Sequence, residues 1–537
     1  MLTPSRRTFL SLGLAALSLA LPGCPERDAL LDAPLTVLGP VAAAQTLTWV
    51  DTHAAAARVL DLASTTLAVR SVPVGLDPVL AVARRDHDEV MVLSRGSRGE
   101  PGVAPSPGTL AVISAAGAPA RTYTVGSPFN AVSQTSDGRF AIAHYLPSAT
   151  SGRLLFNPNE IAVVDLDAAP SAANPARRTV RSFGGVPNAV AFSPPMPING
   201  TARTLAVVLS DAYVTLIDLT NPQRAETTVR LTLPEDARAI RPAQLLFDPE
   251  QSTVYARAEQ SNDVYALRLA PVTPDGPDSN DFRPTINQLA AGRNPSDMAL
   301  IGEASARKLL VVSPGSRDAR VIDARANTTV TVPLDAVANR ILLFAAPSPR
   351  DATVAPRALL YATGGLASAV SFLELTDLDA RRGQNVETVQ LSRPVLSALD
   401  LPERGAVMLD HASAGSTGQL SLLDLARRTV SPIFAEVPLQ GATFDSDRQR
   451  LWVAPSYTAR MGYIALDTFG PGEVRLDEPA TRVIPLPGAM GRPGRVVALH
   501  PASAGSLTVL DAANPQRETA RMVRGFLLDS LLDRSAP

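Results

Sequence analysis

A short phrase keeps returning along the 537-residue chain: an apolar run that ends in aspartate, then a polar turn, then another apolar run. Clear copies are Ile161 to Leu166, Val214 to Leu219, Val321-Ile322-Asp323, Leu422 to Leu425, Ile464 to Asp467 and Leu507 to Asp511. Val59-Leu60-Asp61-Leu62 opens the series. From Asp165 the aspartates follow at spacings of 53, 105, 101, 43 and 44 residues, so the two long gaps read as doubled units. Degenerate copies fill them, Val264 to Leu267 and Val370 to Leu375. The tetrapeptide Asn221-Pro222-Gln223-Arg224 returns as Asn514-Pro515-Gln516-Arg517 at the same place in the phrase, which points to internal duplication.

A period in the forties to low fifties, with room for four strands, is that of a β-propeller blade. Val, Leu, Ile and Ala dominate the strands, as expected of a sheet covered on both faces. Such a sheet cannot stand alone and must stack on its neighbours. The 34 glycines and 47 prolines suit a chain of many short segments and disfavour long helices. The expected fold is all-β: a single closed propeller of four-stranded antiparallel blades, 7 to 10 in number, spanning 46–537. Nine or ten phrases can be marked, whereas propellers typically close with 4 to 8 blades. The strands from Arg495 to Asp511 are therefore a candidate to complete the first blade. Met522 to Leu532 reads as a candidate terminal helix, because Met522, Phe526 and Leu527 share a face. The recurrent aspartates are expected to bond turn backbone rather than ligands.

The phrase resembles the YVTN-repeat and lactonase-like superfamily of seven-bladed propellers. Ala189-Val190-Ala191-Phe192-Ser193-Pro194 matches its "VAFSPDG" strand, and Leu359 to Gly364 its "YVTN" strand. The aspartate-ended strands match "VSVID", and Thr122 to Pro128 the "TVxVGxxP" strand. The resemblance covers about Thr46 to Leu528. It implies architecture and is nearly silent on activity, since propellers host many unrelated functions.

The first residues read as an export address. Arg6 and Arg7, followed by Phe9 and Leu10, resemble a twin-arginine motif, with the general secretory route as the rival. Leu10 to Leu21 would rise only about 18 Å as a helix, too short to span a bilayer. Leu21-Pro22-Gly23-Cys24 resembles a lipoprotein signal-peptidase box, and Cys24 is the single cysteine of the chain. The reading is a signal peptide over 1–23, a lipidated Cys24 opening a linker over 24–45, and no disulfide in the folded part. Pro25 is not the aspartate associated with inner-membrane retention, so an outer-membrane destination is favoured.

Net charge is −2 with dispersed signs, which gives no footprint for nucleic acid. Arginine supplies nearly all the positive charge, Lys308 being the only lysine, and the arginines are scattered rather than striped. Four long insertions, Ser94 to Thr109, Tyr145 to Glu160, Asp410 to Gln419 and Pro455 to Gly462, fall between second and third strands and should emerge on one face. That mouth carries Arg95, Arg98, His144, Tyr145, Arg153, Phe156, His411, Tyr457 and Arg460, cations and aromatics suited to an anionic or carbohydrate-like ligand or a protein partner. His144, His411 and His500 each end a second strand and are expected to be structural. Asp275, Asp278, Asn280 and Asp281 do not match a calcium loop. Asp86 to Glu89 reads as a turn. No nucleophile elbow, phosphate loop or dinucleotide fingerprint occurs.

No cofactor or metal is expected. The function indicated is a membrane-anchored extracytoplasmic scaffold that binds an unidentified protein or small molecule without catalysis. A lactonase-like hydrolase is the alternative, from the resemblance alone.

Overall fold

In the computed structural model the described residues are 36–528, except 63–67, 100–101, 103, 147–156, 181–186, 212, 232–239, 277, 304–305, 348–353, 377, 379–384, 412–418, 435–442, 446, 454–457, 469 and 489–492. Among them, ten four-stranded antiparallel sheets follow one another as blades 1 to 10 of a β-propeller. The blades span 37–73, 78–126, 131–179, 189–230, 242–290, 297–333, 340–390, 395–434, 443–475 and 482–524. The propeller strands thus begin at Val37, ahead of Thr46. Ten blades also depart from the seven that the family resemblance implies.

Within a blade the strands pair in chain order. Blade 4 alone interrupts the order, with a hairpin of Met196–Ile198 and Thr201–Arg203 between its first and second strands. First strands of successive blades lie beside one another, as Val37–Ala43 does with Pro78–Ala83 and Asp297–Ile301 with Arg340–Pro347. They therefore ring the axis, and the fourth strands form the rim.

Alternation along the second and third strands divides each blade between two neighbours. In blade 4, Leu205, Val207 and Leu209 pack against blade 5, whereas Ala206 and Val208 pack against blade 3. All of these are buried, and each fully buried aliphatic side chain contributes roughly 1.5–3 kcal/mol. A charge at Val207 would thus open a seam, not merely mark a surface.

The phrase aspartates close the turn after the third strand. Asp218 Oδ1 accepts from Thr220 N at 2.9 Å, Asp323 Oδ1 from Arg325 N at 3.0 Å, and Asp511 Oδ1 from Ala513 N at 2.8 Å. Blade 2 lacks the aspartate, and there Ser114 Oγ accepts from Ala116 N at 3.2 Å. That serine hides a full blade from the aspartate series.

The ring closes without sharing a sheet. Arg495–His500 and Ser506–Asp511 are the second and third strands of blade 10, so they do not complete blade 1. Their Val497, Leu499, Leu507 and Val509 pack against Leu47, Trp49, Leu60 and Leu62 of blade 1. Trp49 and Phe526 stack with centroids 4.5 Å apart, and Gln45 Nε2 donates to Pro493 O at 2.9 Å. The first residues of the expected terminal helix belong instead to the strand Arg521–Arg524, ended by Gly525 at φ 75°. Residues 529–532 lie outside the described ones. The apolar spacing there serves a strand followed by a turn, which tucks Phe526 and Leu527 into the closing seam.

The scattered arginines tie blades together. Arg84 of blade 2 donates to Gly138 O of blade 3 at 2.8 Å and pairs with Asp167, while Arg121 donates to Leu166 O at 2.5 Å. Arg178 of blade 3 reaches Pro222 O and Arg224 O of blade 4, and Arg450 of blade 9 reaches Ala512 O of blade 10. The duplicated tetrapeptide forms or borders both of these gripped turns.

Candidate functional site: the loop mouth and the channel wall

Antiparallel order puts the connections between second and third strands on the same face as the start of each first strand, here the loop face. Second strands end there in buried polar residues: Asp51, Ser94, His144, Ser210, Ser313, His411 and His500. Three of them make the same stitch. His411 Nδ1 donates to Arg393 O at 3.0 Å and His500 Nδ1 to Pro479 O at 2.9 Å, both carbonyls in the segment leading into the blade. Ser313 Oγ donates to Ala291 O at 2.5 Å in the same place. The other histidine nitrogens meet third-strand hydroxyls, His411 Nε2 with Ser421 Oγ at 2.5 Å and His500 Nε2 with Thr508 Oγ1 at 2.8 Å. Both rings are thereby occupied in holding strand ends.

His144 differs. Its Nε2 lies 3.2 Å from Ser133 Oγ, Nδ1 has no hydrogen-bond partner among the described residues, and the equivalent third-strand position offers Val163 instead of a hydroxyl. Burial pushes its pKa down to about 4, against a smaller upward contribution from the Tyr145 backbone.

The other mouth residues do not converge. Arg95 pairs with Asp77 at 2.7 Å, and Arg460 with Glu473 at 3.3 Å. Arg98 is exposed and Tyr145 is buried. Arg153, Phe156 and Tyr457 lie outside the described residues, as do Arg6, Arg7 and Cys24. Arg95, Arg98, His144 and Tyr145 belong to blades 2 and 3, and His411 and Arg460 to blades 8 and 9, with blades 4 to 7 between them on one side and blades 10 and 1 on the other.

The opposite face is elaborated too. The segment 272–281 of blade 5 straps onto blade 4, where Asp281 pairs with Arg203 and with Arg224, the latter at 3.4 Å. Burial pushes the Asp281 carboxyl up, but the Arg203 guanidinium outweighs this and holds it below the usual carboxylate range. Asn280 Nδ2 donates to Thr227 Oγ1 at 2.8 Å. These groups serve the strap, and no cluster with metal-ligand geometry occurs among the described residues.

The channel wall is the surface that sequence reasoning missed. Leu343, Leu396 and Leu399, on the adjacent first strands of blades 7 and 8, are 40%, 45% and 41% exposed. A cavity of about 610 Å³ runs beside Leu343 between blades 6 and 7, and one of about 230 Å³ beside Leu399 between blades 8 and 9. Polar groups rim the wall at its loop end. Asp297 accepts from Gln244 Nε2 at 2.6 Å and from Ile341 N at 2.9 Å, and Arg257 Nε donates to Gln244 Oε1 at 3.1 Å. Burial, with Asp400 nearby, pushes the Tyr361 hydroxyl up to about 12.

No known family matches the sequence, and no curated protein sequence matches it. Among solved structures, the chain is similar to the dihydro-heme d1 dehydrogenase NirN in complex with DHE, at 12% identity, TM-score 0.41, over 73% of this chain and 71% of that one. It is similar to a eukaryotic initiation factor at 12% identity, TM-score 0.40, over 75% and 88%. Apo AztD from Citrobacter koseri matches at 9% identity, TM-score 0.33, over 67% and 86%. At these scores the assignment to the propeller architecture stands on the ten sheets of this chain itself.

Proposed function

We propose that this chain is an exported lipoprotein, tethered through Cys24 on the periplasmic side or cell surface, whose propeller is a non-enzymatic scaffold binding a protein or small-molecule ligand. The Arg6-Arg7 pair and the Leu21-to-Cys24 box support the address. The observation that carries the binding role is the run of exposed leucines on the channel wall of blades 7 and 8, continuous with cavities on both sides. Exposed apolar surface grouped in a concave wall marks binding sites rather than folding cores. The engagement of His411 and His500 in strand-end stitches speaks for holding rather than turnover.

Two measurements test this. Cys24→Ser should move the protein from the membrane fraction to the soluble one and abolish labelling by a fatty-acid precursor; unchanged fractionation overturns the anchor. A neutral environment-sensitive dye should bind the full chain and lose binding in Leu399→Glu with the melting midpoint nearly unchanged. Equal dye binding in the variant overturns the wall as ligand surface, and lactone hydrolysis lost on replacing His144 and His411 by alanine overturns the non-enzymatic assignment.

A further inference from the structure

The seam between blades 6 and 7 begins like the others, with Leu310, Val312 and Val321 against Ala358, Leu360 and Leu373. Toward the end where first strands turn into second strands it fails to close. Leu300 and Ile301 of blade 6 and Leu343 and Phe344 of blade 7 stand apart around the cavity of about 610 Å³. That volume lies within the range of small-molecule sites, roughly 300–1,000 Å³.

Among the described residues lining the cavity, Lys308 and Arg357 are the titratable ones, and both are cations. Lys308 is half-buried and makes no ion pair among the described residues. The Arg357 side chain is fully buried, with Glu374 at 3.6 Å from Nη2. Arg428 approaches the same oxygen at 3.5 Å. An apolar chamber with a half-buried ammonium at its edge and a buried guanidinium in its wall complements one class of solute. Such a solute has an apolar body and a single anionic end.

We propose that the cavity between blades 6 and 7 binds a small amphipathic anion, a carboxylate carried on an aliphatic or aromatic body, with Lys308 as the principal contact for the carboxylate. The proposal rests on the reading of the channel wall as a ligand surface and adds the ligand's charge and place. Lys308, the single lysine of an arginine-rich chain, sits where a flexible point charge can follow ligands of different length.

The test is calorimetric titration of the full chain with octanoate and, separately, with 1-octanol. Octanoate should bind more tightly than octanol. Lys308→Gln should weaken octanoate about tenfold, the worth of one charge-assisted contact, and leave octanol unchanged. Leu343→Trp, which fills the chamber from the channel side, should weaken both. Equal affinities for the two probes, or octanoate binding indifferent to Lys308→Gln, overturn the charge assignment and leave the wall standing as an apolar ligand surface. Binding of both probes untouched by Leu343→Trp places the ligand elsewhere and overturns the cavity. Should neither probe bind, the proposal falls while the neutral-dye result still decides the broader reading.

Discussion

The seam between blades 2 and 3 and the seam between blades 6 and 7 are built from the same phrase, yet one is closed and the other holds a chamber. In the first, large residues of blade 2, Met91, Leu93, Leu110 and Tyr123, with Phe129 of the connection that follows it, meet small ones of blade 3, Ala141, Ala143 and Ala162. Three polar ties then lock it from blade 2: Arg84 to Gly138 O, Arg121 to Leu166 O, and the Tyr123 hydroxyl to Ala168 O at 2.7 Å. In the second seam Leu343 is left 40% exposed beside the cavity while Phe344 packs toward Phe372, away from blade 6, and Arg357 points to a carboxylate of its own blade. A propeller seam closes when side-chain volumes complement across it and ions bridge it, and it opens when both are spent within one blade.

The largest effect expected from this contrast is at the tight seam. Leu110→Ala should cost about 3–4 kcal/mol in denaturant unfolding, since a fully buried leucine leaves a cavity that alanine neighbours cannot fill. A cost below about 1 kcal/mol would show that the seam relaxes and is not jigsaw-packed. Arg84→Ala should follow at about 3 kcal/mol, because the bonds of its buried guanidinium to Glu89, Asp167 and Gly138 O are lost together, although Glu89 keeps Arg121. The loss should be read in a lowered melting midpoint that added salt does not erase.

His144 adds a pH dependence to the same sector of the ring. Its pKa falls from 6.5 to about 4 on folding, so the unfolded chain takes up a proton between these values and the native one does not. Stability is therefore complete above about pH 6.5 and falls as pH drops toward 4, by up to about 3 kcal/mol from this group. A His144→Gln variant should lose this part of the decline; identical pH profiles for the two proteins would show that the buried ring does titrate. The smallest effect belongs to the open seam. Leu343→Ala should change stability by less than about 1 kcal/mol while weakening dye or octanoate binding, as expected of a side chain 40% exposed beside a cavity. A loss like that of Leu110→Ala would mean that the chamber is ordinary core.

Much of the ring was legible because its signals are local. Asp165, Asp218, Asp323, Asp424 and Asp511 mark third strands through bonds to backbone only two or three residues away. The connections after second strands leave their blades on one face, as strand alternation requires. Blade 2 escapes the aspartate series because Ser114 makes the same turn, and Met522, Phe526 and Leu527 read as one helix face because a strand followed by a glycine turn mimics helical spacing over so few residues. The mouth residues were less legible. Charge and aromaticity mark Arg95, Arg460, His411 and His144 alike, but nothing local tells that two of them pair with neighbours, that one stitches a strand end, or that one is buried with a nitrogen unmatched.

The sequence by itself determined the unit: a four-stranded sheet apolar on both faces, with turn residues at fixed places, which must find neighbours because strand alternation leaves neither face fit for water. Tertiary structure alone decided that ten such units close the ring, that closure uses side chains rather than a shared strand, and that one seam keeps a chamber. Those outcomes depend on how the volumes and ion pairs of residues far apart in the chain add up across each seam, and no window of sequence contains both sides.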